Sequence, residues 1–107
     1  MEKIIVYSDA FEYQIHDLIF ILYNKEYFGF EDSAIKYGEK IYEFIFENID
    51  KPITRNSQKK YHKFGKKYLK YTANKRTTWY IFFDQKDNKF LVKYILNNHS
   101  KDFPELM

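Results

Sequence analysis

Arg76 and His99 are the residues of this chain whose types suit chemistry on an anion. A guanidinium stays cationic at any working pH and forks onto phosphate or carboxylate oxygens. An imidazole changes charge near neutrality, which fits it for general acid or base work. Close to them in sequence, Lys63, Lys66, Lys67, Lys70, Lys75 and Lys93 interleave with Tyr61, Phe64, Tyr68, Tyr71 and Tyr94. Lysines contact phosphates, and exposed aromatic rings stack unpaired bases at roughly 1–3 kcal/mol each. Spacing alone gives the bland alternatives equal weight. The tyrosines could simply pack a sheet and the lysines keep an edge strand from aggregating. Arg76 could be only a surface ion-pair partner, and His99 only a strand-end cap.

Other chemistries find little footing. The chain has no cysteine, so disulfides and thiolate metal sites are excluded, and a reducing compartment is compatible. His16, His62 and His99 show no ligand spacing with carboxylates or with one another. His16 lies in a predicted helix with no second ligand or base at helical spacing, and reads as a surface or half-buried structural residue. No serine sits in a strand-to-helix elbow. Gly29, Gly38 and Gly65 are too scattered for a phosphate-cradling loop. Neither a metal nor a cofactor is expected.

The element that must position Arg76 and His99 is the stretch between them, RTTWYIFFDQKDNKFLVKYILNNH. It reads as two strands rich in β-branched and aromatic residues, joined by the turn-forming cluster from Asp84 to Lys89. Thr77 to Phe83 is apolar on both faces, which predicts a central strand covered on each side. The second strand is expected to place Phe90, Val92, Tyr94 and Leu96 on one side, with Leu91, Lys93, Ile95 and Asn97 on the other. In an antiparallel hairpin, Arg76 at its opening and His99 at its close meet at one edge of the sheet.

Upstream, Lys3 to Tyr7 predicts a short strand. Ser8-Asp9 offers an N-cap, with Asp9 and Glu12 at capping-box spacing. A helix follows whose stripe is Phe11, Ile15, Leu18, Ile19 and Leu22, widened by Phe20, Ile21 and Tyr23 so that burial is expected on more than one side. Gly29 is its expected C-cap. A second helix begins at Phe30 to Ser33, with acids at its positive end. Ala34, Gly38, Ile41, Ile45 and Ile49 share its buried face. Gly38 costs about 1 kcal/mol relative to alanine in a helix interior, and close approach of the first helix is its expected compensation. Pro52 ends the second helix. Lys51 to Gly65 carries no strong element. Lys66 to Thr72 predicts a strand with Lys67, Leu69 and Tyr71 on one side and Tyr68 and Lys70 on the other. The fold class is therefore α+β: an N-terminal strand, a helical hairpin, then three antiparallel strands, with two helices on a small, mostly antiparallel sheet.

At 107 residues this is one domain, 1–107, with no room for a second core. No apolar run approaches the roughly 18 residues a membrane helix needs, and Met1-Glu2-Lys3 lacks the basic lead of a secretory signal. A cytoplasmic location without membrane contact is expected. The net charge of +3 is unevenly spread. Met1 to Asp50 holds 4 basic and 11 acidic residues, a net −7; Lys51 to Lys101 holds 14 basic and 2 acidic, a net +12. A basic half on a folded domain attracts polyanions; the alternative is a lysine-rich solvated surface.

The element order, Arg76-Thr77-Thr78-Trp79 entering a central aromatic strand, and a last strand ending Asn97-Asn98-His99 resemble the RelE/ParE toxin superfamily of bacterial type II toxin–antitoxin systems. There the matching strand opens Arg-x-x-Tyr, with Trp79 standing here for the Tyr. For ribonuclease members the resemblance implies metal-independent cleavage of mRNA in the ribosomal A site, inhibiting translation. The ribose 2′-hydroxyl attacks the adjacent phosphate. On that resemblance Arg76 matches the phosphate-clamping arginine, and His99 a histidine just past the last strand that acts as acid or base. Lys67 and Lys70 lie near the lysines other members use. A cognate antitoxin with an acidic or amphipathic segment is the implied partner. The superfamily also holds a branch that binds and inhibits DNA gyrase and lacks the catalytic cations. A non-catalytic nucleic-acid-binding module is a third reading. The tail departs from many active members, carrying Phe103 where they have a Tyr near the scissile phosphate. Either His99 is then the sole acid, or ribonuclease activity is weak or absent.

Overall fold

The computed structural model describes residues 2–24, 31–73 and 75–99. They form β1 (Ile4–Tyr7), α1 (Asp9–Asn24), α2 (Glu31–Asn48), β2 (Arg55–Asn56), β3 (Lys67–Thr72), β4 (Thr78–Lys86) and β5 (Lys89–Asn97), with a short 3-10 turn at Lys59–Tyr61. One sheet runs in the order β1-β5-β4-β3-β2. β1 is parallel to β5, and the other neighbours are antiparallel. The α+β class stands, but the strand count and order differ from the expected one strand plus three. The unreadable segment after Pro52 supplies a fifth strand, β2, two residues long, and the parallel β1 makes the sheet mixed.

Helix α1 is fixed at its start by Ser8, whose Oγ accepts the Phe11 N–H at 3.0 Å and donates to the Lys93 carbonyl at 2.9 Å. Ser8 is thus the N-cap. Asp9 and Glu12 belong to the first turn, where their charge favours the helix dipole rather than closing a capping box. Phe11, Ile15 and Leu18 are buried against Ile41 and Ile45 of α2, Ile49 just beyond it, and the sheet. The expected wider burial of α1 does not hold, since Phe20 is 62% exposed and Ile21 38%. The helix is covered on one flank only, and its far side faces solvent. A Cβ on Gly38 would lie 3.2 Å from Ile19 Cδ1, the close approach of α1 that a glycine there allows. Gly29 and the side chain of Leu22 lie outside the described residues, as do those of Tyr23 and Ala34.

β4 occupies the middle of the sheet, with Trp79, Tyr80, Ile81, Phe82 and Phe83 all buried. Its odd residues join Leu69, Phe90, Val92 and Ile95 beneath the helices. Its even residues Tyr80 and Phe82 join Leu96, Tyr68, Tyr94 and Phe64 on the opposite, helix-free side. Cover there comes from the chain after β2. Phe64 stacks on Tyr94 at 4.7 Å between centroids and lies 5.5 Å from Phe82. Gly65 passes so close over β4 that a Cβ would lie 2.6 Å from the Phe83 nitrogen, and its φ of 156° is one that side-chain-bearing residues rarely adopt.

β5 does not alternate as its sequence suggests. Phe82 pairs with Tyr94 but Phe83 pairs with Val92, leaving Lys93 as the extra residue of a β-bulge. A bulge reverses the parity of everything beyond it. Phe90, Val92, Ile95 and the buried Asn97 therefore share the helix side, while Tyr94 and Leu96 turn to the other. The β4–β5 turn is shorter than expected: strand pairing continues to Lys86 and Lys89, and Asp87 takes the left-handed φ of 56° that the tight turn requires.

Candidate nucleic-acid interface

The end of the sheet where β4 begins and β5 stops is tied by two consecutive asparagines. Asn98 donates from Nδ2 to the Arg76 carbonyl at 2.8 Å, accepts the Thr78 N–H on Oδ1 at 3.0 Å, and donates its own N–H to the Thr78 carbonyl at 3.1 Å. Asn97 accepts the His99 N–H on Oδ1 at 2.8 Å. The Arg76 backbone and the His99 ring thus flank one short stretch of main chain, and both residues are exposed.

The His99 imidazole is held from below. Its Nε2 lies 3.3 Å from the Thr77 hydroxyl, a residue otherwise buried. Thr77 also hydrogen-bonds Tyr37 of α2, whose hydroxyl accepts the Trp79 indole N–H at 2.7 Å. Burial pushes the Tyr37 pKa up, outweighing the hydrogen bonds from Trp79 and Thr77, so the phenol keeps its proton. Polar side chains from α2, β4 and the end of β5 thereby form one hydrogen-bonded line ending at the imidazole. Sequence reasoning did not single out Tyr37, Thr77 or the asparagines as partners. The one available signal was two amides closing a strand otherwise built from apolar residues.

The lysines divide. Lys70 lies opposite Tyr80 on the helix-free side, two positions in from the Thr72–Thr78 pair. Lys75 adjoins Arg76 in the exposed β3–β4 connection. Lys63 and Lys66 are exposed on the segment covering the helix-free side, with the Lys63 ammonium 5.1 Å over the Phe64 ring. Lys67 stands on the other side of the sheet, opposite Phe83, where its ammonium meets Gln85 Oε1 at 3.2 Å. Five positions from Thr78, at about 3.4 Å per residue, it is too far to join Arg76 and His99. Lys93 pairs with Asp84 at 3.3 Å, a carboxylate that also accepts the Lys66 N–H. The geometry therefore brings Arg76, His99 and Lys75 to one end of the sheet, leaves Lys70 on the opposite face from the imidazole, and sets Lys67 and Lys93 apart. His16 and His62 are exposed and take no part. Phe103 lies outside the described residues.

No protein-family model matches the chain, and no curated protein or solved structure matches it either. No helix among the described residues is long and apolar enough to cross a membrane.

Proposed function

We propose that this chain is the toxin of a type II toxin–antitoxin pair, of RelE/ParE type, that cleaves ribosome-bound mRNA without a metal. The observation that carries this reading is the tie between Arg76 and His99 through Asn98, Asn97 and Thr77. It brings the Arg76 main chain and His99, both exposed residues, to one end of the sheet, which supports the reading. In that role the 2′-hydroxyl of the substrate gives its proton to solvent as its oxygen attacks the neighbouring phosphate, forming one P–O bond while the bond to the 5′-oxygen breaks. Arg76 offsets the charge that gathers on the equatorial oxygens, and His99 gives a proton to the departing oxygen. The strand–helix–helix–strand order that carries the resemblance, and the basic second half of the chain, support the same reading. The cognate antitoxin would be an acidic or amphipathic segment suited to that basic half.

One observation favours the gyrase-binding branch instead. Lys67 and Lys93 are engaged away from Arg76, so fewer cations surround the edge than a nuclease of this type implies. The two readings separate in a translating extract, with primer extension on mRNA run beside a gyrase supercoiling assay. Discrete mRNA breaks that vanish with Arg76→Ala/His99→Ala support the nuclease. Unbroken mRNA with blocked supercoiling supports the other branch. Equal toxicity of the double variant removes the nuclease assignment.

A further inference from the structure

A pocket of about 190 Å³ opens on the helix-free side of the sheet, floored by Tyr68, Tyr80 and Phe82 and walled by Tyr61. Asn56 and Gln58 stand at its lip. We infer that this pocket receives one unstacked base of a single-stranded nucleic acid, an inference that rests on the reading that the chain acts on RNA.

Three features of the pocket suit a base. Its floor and wall are aromatic, the surface on which a base stacks whatever its identity. Its lining carries two exposed side-chain amides, Asn56 and Gln58. An amide presents a donor and an acceptor together, the pattern that reads a base edge. Cations stand where the flanking phosphates would lie: Arg55 is opposite Tyr68, Lys70 is opposite Tyr80, and the Lys60 ammonium sits 5.1 Å over the Tyr61 ring.

The pocket is also built in advance. Ser57 Oγ donates to the Gly65 carbonyl at 2.6 Å, the Ser57 N–H donates to the Lys66 carbonyl at 2.9 Å, and Gly65 is seated on β4. That holds the segment bearing Tyr61 in place through its own contacts. An apolar peptide side chain would fill the space but make no use of the two amides at the lip. A free inorganic anion would find no buried cation.

The test uses the full chain and short 2′-O-methyl RNA strands, which lack the attacking hydroxyl and cannot be cut. An abasic residue or 2-aminopurine is placed at each position in turn. The expected result is a single register in which the abasic strand binds about tenfold or more weakly and 2-aminopurine is quenched. Asn56→Ala and Gln58→Ala, both exposed, should reproduce that loss with the melting temperature unchanged. Base-dependent binding without cleavage of natural mRNA upholds the pocket and removes the nuclease reading. Cleavage of mRNA with equal affinity for every abasic strand overturns the pocket and leaves the nuclease reading in place.

Discussion

The Thr77 hydroxyl lies 3.3 Å from Nε2 of His99, so the imidazole rests on a buried polar group while the residue itself stays exposed. The indole of Trp79 can only donate, which makes the Tyr37 oxygen its acceptor. If the Thr77 hydroxyl gives its proton to Nε2, the ring proton of neutral His99 sits on Nδ1. Nitrogen-15 NMR at alkaline pH should show this tautomer in the native chain and its loss in Thr77→Val. An Nε2–H tautomer in the native chain would show that the line runs the other way.

Arg76→Ala should lower RNA cleavage about 10²–10³-fold, the usual effect of removing one preorganised charge at a developing anion. His99→Ala should lower it about 10²–10⁴-fold, the range of a lost acid or base. Both residues are exposed, so neither substitution should change the denaturation midpoint. Single-turnover cleavage assays with parallel melts check both statements.

Lys70→Ala should weaken RNA binding and reduce the slope of log K against log salt by about 1, as one phosphate contact does. Lys67→Ala should leave that slope unchanged, because its ammonium is on the far side of the sheet with Gln85. Equal slopes for the two variants would show that the helix-free side does not face the nucleic acid.

Gly65→Ala should destabilise the fold by about 2–3 kcal/mol, since a Cβ 2.6 Å from the Phe83 nitrogen meets backbone that cannot move aside. Gly38→Ala should stay within about 1 kcal/mol of the native chain, as the gain in helix propensity offsets contact with the movable end of Ile19. Urea titrations of the two variants decide the contrast.

Burial, with the nearby Tyr42 phenol adding to it, pushes the Tyr7 pKa up to about 12 from 10.0. A raised folded-state value means the native state holds its proton longer than the unfolded chain. The associated stability is complete below pH 10 and falls as pH rises toward 12. Alkaline unfolding should begin in that window. Tyr7→Phe should flatten it, as followed by ultraviolet absorbance and circular dichroism together.

The sequence announced what depends on local pattern. The period of Ile41, Ile45 and Ile49, the two-sided apolarity of β4 and the split of β3 into Leu69 and Tyr71 against Tyr68 all lie in near neighbours, and all appear in the fold. The two-residue β2 carries too few residues for a pattern and exists because Arg55 and Asn56 find β3. Phe20 and Ile21 look buried by composition, yet burial depends on a partner surface, and none of the described elements lies against them. At the sheet end, the hairpin foretold that the main chain at Arg76 and near His99 would reach one edge. The line through Tyr37 joins residues 42 apart in Trp79 and Tyr37, which no short window can display.

Lys93 settles a question of handedness for the end of β5. One unpaired residue rotates the rest of the strand by half a turn, so Ile95 and Asn97 face the helices. Were Lys93 paired in register instead of bulged, Leu96 and Tyr94 would be driven under α1 and α2, and the terminal imidazole would be carried to the opposite face, out of reach of Thr77. Deleting Lys93 would keep each face as it is, whereas one further inserted residue paired in register between Lys93 and His99 would act as a mirror and move the titratable ring to the wrong face.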